Sequence, residues 1–148
     1  MLDDTIRPSK TIKTNRYTLI IPGRAFSAWG KSANLYKAEI AKLAAQNMNE
    51  PLTQNELHVK VDYFYKKGNK VDGDNLLKNV LDGLKGIAYL DDGQVTHTEV
   101  YSHNLASSYT IEEPVSPEIF DLLSEDREFV AVLVRSRPRL VLKSRIRR

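Results

Sequence analysis

Cysteine is absent from the 148 residues, which removes disulfides, thiolate nucleophiles and cysteine-ligated zinc from consideration and fits a reducing compartment. Long apolar runs are missing as well. Nothing approaches the roughly 20 consecutive apolar residues that cross a bilayer, and the opening MLDDTIRPSK has no apolar signal core. These absences predict a cytoplasmic protein with no membrane partner. No internal repeat or low-complexity stretch precedes the basic end of the chain. What is present, 41% hydrophobic and 28% charged residues, supplies one compact core, because a domain of this length buries roughly 70% of its unfolded surface. A single domain over residues 1–148 is expected, with a basic extension at about 135–148.

The charge is unevenly spread. Residues 1–70 carry 12 basic and 6 acidic groups, 71–127 carry 3 and 12, and 128–148 carry 7 and 1. An acidic centre between basic ends suits an anionic polymer held by cationic surfaces while carboxylates bind cations. The plainer reading is a solvated surface with a basic tail, and charge counts alone do not choose between them.

Tyr17 to Ile21 reads as a strand stopped by Pro22-Gly23, and about Ser27 to Gln46 reads as a helix. Leu57 to Tyr65 alternates strictly and predicts a half-buried strand with Leu57, Val59, Val61, Tyr63 and Tyr65 on one face. A helix capped by Asp74 and running to about Lys85 should bury Leu76, Leu77, Val80, Leu81 and Leu84 and leave Asp74, Lys78, Asp82 and Lys85 on the other side. Gln94 to His103 and Ala106 to Glu112 read as two strands paired locally and antiparallel. Ser116-Pro117-Glu118 is a helix start, Phe129 to Val134 a buried strand, and Arg139 to Lys143 a last strand or tail. The order suggests α+β, with helices packed on a small mixed or mostly antiparallel sheet.

The informative stretch is VDGDNLLKNVLDGLKGIAYLDDGQV, residues 71–95. Asp72 and Asp74 are two apart, so an extended chain points both carboxylates to one side. Lys78 lies one helical turn after Asp74, and Asp82 one turn further. Asp91 and Asp92 sit in a turn from which the chain could fold back toward the helix start. Carboxylates that close repel one another unless a cation or a raised pKa compensates, and an all-oxygen set favours Mg²⁺, with Mn²⁺ as a substitute, over zinc. Such an ion with a lysine beside it can hydrolyse a phosphodiester.

In order and spacing, Asp-x-Asp-Asn, a lysine four after the second Asp, Leu-Asp-Gly-Leu and Asp-Asp-x-Gln-Val resemble the signature of the RusA-type Holliday junction resolvases. The resemblance implies a RusA-like fold, Asp72, Asp74 and Asp92 as metal-binding catalytic acids, and Lys78 as the catalytic lysine. Lys85 to Leu90 is shorter than in some relatives, so Asp91 competes with Asp92 for the third position, and the Asp-x-Gln-Val match favours Asp92. The resemblance further implies a homodimer acting on four-way junction DNA, with no nucleotide cofactor, in a bacterium or a phage that infects one.

Other residues carry two readings each. Asp82, Asp91 and His97 are either outer partners of the site or ordinary turn, helix and strand residues. Arg24, Lys31, Lys66, Lys67, Lys70, Arg135, Arg137 and Arg139 either grip phosphates or form a solvated surface. Tyr63, Tyr65 and Tyr89 either stack on bases or pack in the core. A calcium loop starting at Asp72 fails at its sixth position, Leu77, and its twelfth, Gly83. Ala25 to Ser32 loosely matches a phosphate-binding loop, but Phe26 and Trp29 would crowd the amides that must wrap phosphate. The expected activity is Mg²⁺-dependent hydrolysis of branched DNA. Its rivals are a non-catalytic branched-DNA binder of the same fold and a flap or branch nuclease.

Overall fold

The computed structural model describes residues 16–27, 29–108 and 115–137. In chain order these form β1 (Arg16–Pro22), α1 (Lys31–Asn47), β2 (Leu57–Tyr65), α2 (Gly73–Leu84), β3 (Val95–Asn104), α3 (Pro117–Ser124) and β4 (Phe129–Ser136), with a 3-10 turn at Asp92–Gln94. The strands make one sheet in the order β1-β4-β2-β3. β4 runs antiparallel to both its neighbours, whereas β2 and β3 are parallel, so the sheet is mixed and the class is α+β, as expected.

The alternation in β2 works as predicted. Leu57, Val59, Val61 and Tyr63 are buried on one face, beside Leu19 and Ile21 of β1 and Val130, Val132 and Val134 of β4. Ile40 and Ala44 of α1 and Leu76, Val80 and Leu84 of α2 cover this face. The two helices cross at Gly83, where a Cβ would lie 2.8 Å from the Cβ of Ile40 and 3.0 Å from the Lys37 carbonyl oxygen. A helix-interior glycine costs about 1 kcal/mol relative to alanine, and here it permits the close approach.

Three local expectations change. The second strand expected at Ala106 to Glu112 begins as a turn at Leu105–Ala106, and its residues 109–112 lie outside the described ones, as do Arg139 to Lys143. β3 pairs parallel with β2, because α2 carries the chain back to the level of Leu57 before β3 begins, and its expected antiparallel pairing with 106–112 lies largely outside the described residues. α1 starts at Lys31 and not near Ser27, because Gly30 adopts φ 82° and ψ −147°, a conformation reserved for glycine. Ser116 does cap α3, its Oγ accepting from the Ile119 amide at 3.2 Å, with Pro117 in the first turn. No helix among the described residues is long and apolar enough to cross a membrane.

The sheet face away from α1 and α2 carries polar groups, one of them buried. His58 is 2% exposed. The Arg135 Nε–H donates to its Nδ1 at 3.0 Å, so the ring proton sits on Nε2 and is donated to Glu99 Oε1 at 2.6 Å. Glu99 also accepts from the Tyr101 hydroxyl at 2.6 Å, and the His97 ring stacks on His58 at 4.1 Å between centroids. Burial holds the His58 pKa below its ordinary value, against the hydrogen bond to Glu99 and with help from the His97 and Arg135 charges. Arg137 follows β4 directly: its amide donates to the Glu56 carbonyl and its guanidinium pairs with the Glu56 carboxylate at 3.3 Å. Arg135 therefore belongs to β4, and Arg137, one residue beyond it, is held to Glu56 just ahead of β2, so neither is part of a free basic tail.

Two outcomes follow. Gly83→Ala should destabilise the protein by about 1–3 kcal/mol in urea unfolding despite alanine's better helix propensity, as expected for overpacking. For His58, the unfolded chain takes up the proton first as pH falls below about 6.5, so stability drops from there down to the lowered folded pKa and gains nothing above. The melting temperature should fall between pH 7 and 5, and His58→Gln should flatten that segment. Parallel pH profiles for the two proteins would contradict this.

Candidate active site

The turn between β2 and α2 is pinned at three points, Lys66, Asn69 and Val71. The buried Tyr63 donates its hydroxyl proton to the Val71 carbonyl at 2.8 Å. The Glu128 carboxylate, just ahead of β4, accepts from the Lys66 amide at 2.9 Å and from Asn69 Nδ2 at 2.9 and 3.0 Å. Asp72 thereby emerges at the end of β2 as the cap of α2, its Oδ1 accepting from the amides of Asp74 at 2.9 Å and Asn75 at 3.2 Å. The cap is thus Asp72 and not Asp74, because the helix starts at Gly73, two residues earlier than a cap at Asp74 would place it. That glycine lets α2 sit against β3, where a Cβ would come 3.3 Å from Val100 Cγ1. Asp74 lies in the first turn with its side chain exposed.

Asp72 and Asp74 share one open cleft with Lys70, Tyr63, Val100 and Ser102. Capping engages one Asp72 oxygen, which leaves the other oxygen and the Asp74 carboxylate facing solvent. Lys78 is exposed one turn along α2 and forms no ion pair among the described residues. The N-terminal end of a helix adds partial positive charge at the same place, which favours an anion such as phosphate.

Asp92 does not join them within the chain. The Asp91-Asp92 turn precedes Val95, which pairs with Leu57 at the start of β2, whereas Asp72 and Asp74 lie near Val100 and Ser102. From Val95 to Val100 is about 16 Å of strand at about 3.3 Å per residue. The expectation that this turn folds back to the helix start is therefore not met in one protomer. Lys85, at the far end of α2, faces both acids, its Nζ 3.9 Å from Asp91 Oδ1 and 3.7 Å from Asp92 Oδ2. Burial pushes the Tyr89 phenol up, and the nearby charges of Asp92 and Asp82 add to it. Gln94 locks the turn, accepting from the amides of Leu90 and Asp91 and donating to the carbonyls of Leu52 and Gln54. Asp91 is a cap, its Oδ2 accepting from the Gly93 amide at 3.2 Å.

Asp82 pairs with Lys37 of α1 at 3.1 Å and not with Lys78. His97 lies on the opposite face of the sheet. There His58, His97 and Glu99 are the one trio among the described residues whose donor atoms lie within 4.8 Å of one another. Sequence reasoning passed over this group because His58 reads as the outward residue of an alternating strand. Its atoms already serve one another: a metal on His58 Nε2 would displace the proton that Arg135 obliges that atom to carry. Tyr63 and Tyr89 are core residues, and Tyr65 is half-buried.

The basic residues divide between the two ends of the sheet. Pro22, Phe129 and Phe64 share one level, which puts Arg24, Lys66, Lys67 and Lys70 at the end that holds Asp72 and Asp74. Lys31 opens α1, whose first turns lie beside Asn75 and Lys78. Arg135 and Arg137 lie at the other end, and Arg139 is outside the described residues.

No curated protein matches the chain. Among solved structures, the hydrogenase maturation protein HypE in complex with ATP is similar at a TM-score of 0.31 and 11% identity, over 91% of this chain and 33% of that one. HypE alone is similar at 0.29 and 10%, over 91% and 35%. The chain spans about a third of the length of these structures, and a likeness this loose carries no argument about fold or activity. A family model does match, that of the endodeoxyribonuclease RusA, over residues 13–112, a span that holds Asp72, Asp74, Lys78 and Asp92. With two thirds of its length inside that match, the chain belongs to the RusA endodeoxyribonuclease family.

Proposed function

We propose that the protein is a divalent-metal-dependent endonuclease that hydrolyses phosphodiester bonds in four-way junctions or other branched DNA. One observation carries the reading: Asp72 and Asp74 flank a single solvent-open cleft at the start of α2, within the segment that matches the nuclease family. Their free oxygens are hard donors in an open site, which suits Mg²⁺ or Mn²⁺ retaining several waters. When bound there, such an ion supplies Lewis-acid polarisation of the phosphoryl group and a hydroxide near neutral pH. The chain's own groups do the rest. The Asp72 cap bonds orient its second oxygen, and Lys78 stabilises charge gathering on the phosphate or the leaving oxygen. Lys66, Lys67 and Lys70 draw the DNA backbone to this end of the sheet.

The remoteness of Asp92 favours a homodimer whose sites are shared. A two-fold axis turns one protomer end over end, so Asp92 of the partner subunit can meet Asp72 and Asp74 where the protomer's own Asp92 cannot. Two such sites would cut opposite strands symmetrically.

Asp74→Asn should reduce nicking of a synthetic four-way junction by at least 100-fold while junction binding persists, and chelation of divalent ions should do the same to the wild type. Full activity in the variant would reject the site; binding without nicking in either ion would favour a non-catalytic branched-DNA binder. For the shared site, Asp74→Asn and Asp92→Asn protomers, each inactive alone, should recover one active centre per mixed dimer. A mixture as inactive as its components would place each site within one subunit.

A further inference from the structure

We infer that Trp29 is a stacking platform for one unpaired base at the branch point of the DNA, in a groove beside the acidic cleft. This rests on the nuclease reading and names the feature of the substrate that the chain would recognise. Trp29 is 82% exposed, the most exposed large apolar side chain among the described residues. The loop does not need it for anchorage. Ala25 is buried, Phe26 packs on Tyr36 at 5.3 Å between centroids, and the buried Asn79 of α2 donates Nδ2–H to the Phe26 carbonyl at 2.8 Å. Gly30 closes the loop in its glycine-only conformation. The indole is therefore presented to solvent from a loop tied to the helix that carries Lys78.

The groove is lined by Trp29, Asn34, Lys37, Asn75 and Lys78 among others. No carboxylate lines it, and Lys37 is already paired with Asp82, which leaves the Lys78 ammonium for a phosphate. Asn75 on this side and Asp74 in the acidic cleft are adjacent in the first turn of α2. A nucleotide with its phosphate between Asp74 and Lys78 would then have its base within reach of the indole. The amides of Asn34 and Asn75 offer the donor and acceptor pairs that base edges match. A base inside a duplex has both faces covered by its neighbours, so only an unstacked base offers a face to Trp29. Such bases occur where strands branch, and the groove thereby discriminates branched from linear DNA.

The chain contains one tryptophan, so its emission reports on Trp29 alone. The full chain would be titrated in EDTA, to keep strands intact, with a four-way junction and with a blunt duplex of equal length. Occupancy would be read from the anisotropy of end-labelled DNA. The junction should quench the emission at saturation, and the duplex at equal occupancy should not. Trp29→Ala, with an unchanged circular dichroism spectrum, should lose about 5- to 100-fold in junction affinity, the value of one base stack. Its duplex affinity should not change, and Trp29→Phe should recover most of the loss. Unaltered emission at junction saturation, equal quenching by duplex, or undiminished junction affinity in Trp29→Ala would each overturn the inference. Failure of the nuclease reading looks different: a wild type that is quenched by junctions yet never nicks them in Mg²⁺ or Mn²⁺ rejects the catalysis and leaves the stacking intact.

Discussion

Because β3 pairs parallel to β2, the chain between them must travel back along the length of the sheet, and α2 makes that journey. Everything about the candidate site follows from where this helix begins and ends. Its N-terminal turn meets the end of β2 and holds Asp72 and Asp74, while its last turn delivers the Asp91-Asp92 turn to the start of β3. Groups only 20 positions apart in sequence thus lie at opposite ends of the sheet.

The position of α2 is itself over-determined. Gly83 brings it against Ile40, Gly73 brings it against Val100, and Asn79 ties it to the loop ahead of α1. Each contact depends on a small or polar residue at one helical position, and none adds to the apolar stripe. The consequence is chemical as well as mechanical. The helix that carries Lys78 also holds the loop of Trp29, so the acidic cleft and the neighbouring groove share one rigid support, as sites that need sub-ångström geometry generally require.

The open face of the sheet follows a different logic. His58 is held neutral by burial and by the guanidinium that donates to it, and Glu99 gathers protons from both His58 and Tyr101. The trio has the spacing of metal donors and the hydrogen bonding of a structural network. Proton accounting decides between these, because an imidazole that accepts at Nδ1 has no lone pair left at Nε2.

Local order in the primary structure was enough to determine the α+β class, the buried faces of β2 and α2, the capping of α3 by Ser116, and the acid-rich segment with its family signature. Periodicity and capping act over a few residues, so they survive without the fold. Tertiary structure alone decided that β3 runs parallel to β2, that Asp82 answers Lys37, that His58 is buried on the polar face, and that Arg135 lies in β4 while Arg137 is held to Glu56. It also decided that Asp92 stands away from Asp72 and Asp74 in one protomer. Each of these is a contact between groups distant in the chain, and its energy depends on strand pairing and helix crossing, which a linear pattern of residue types does not encode.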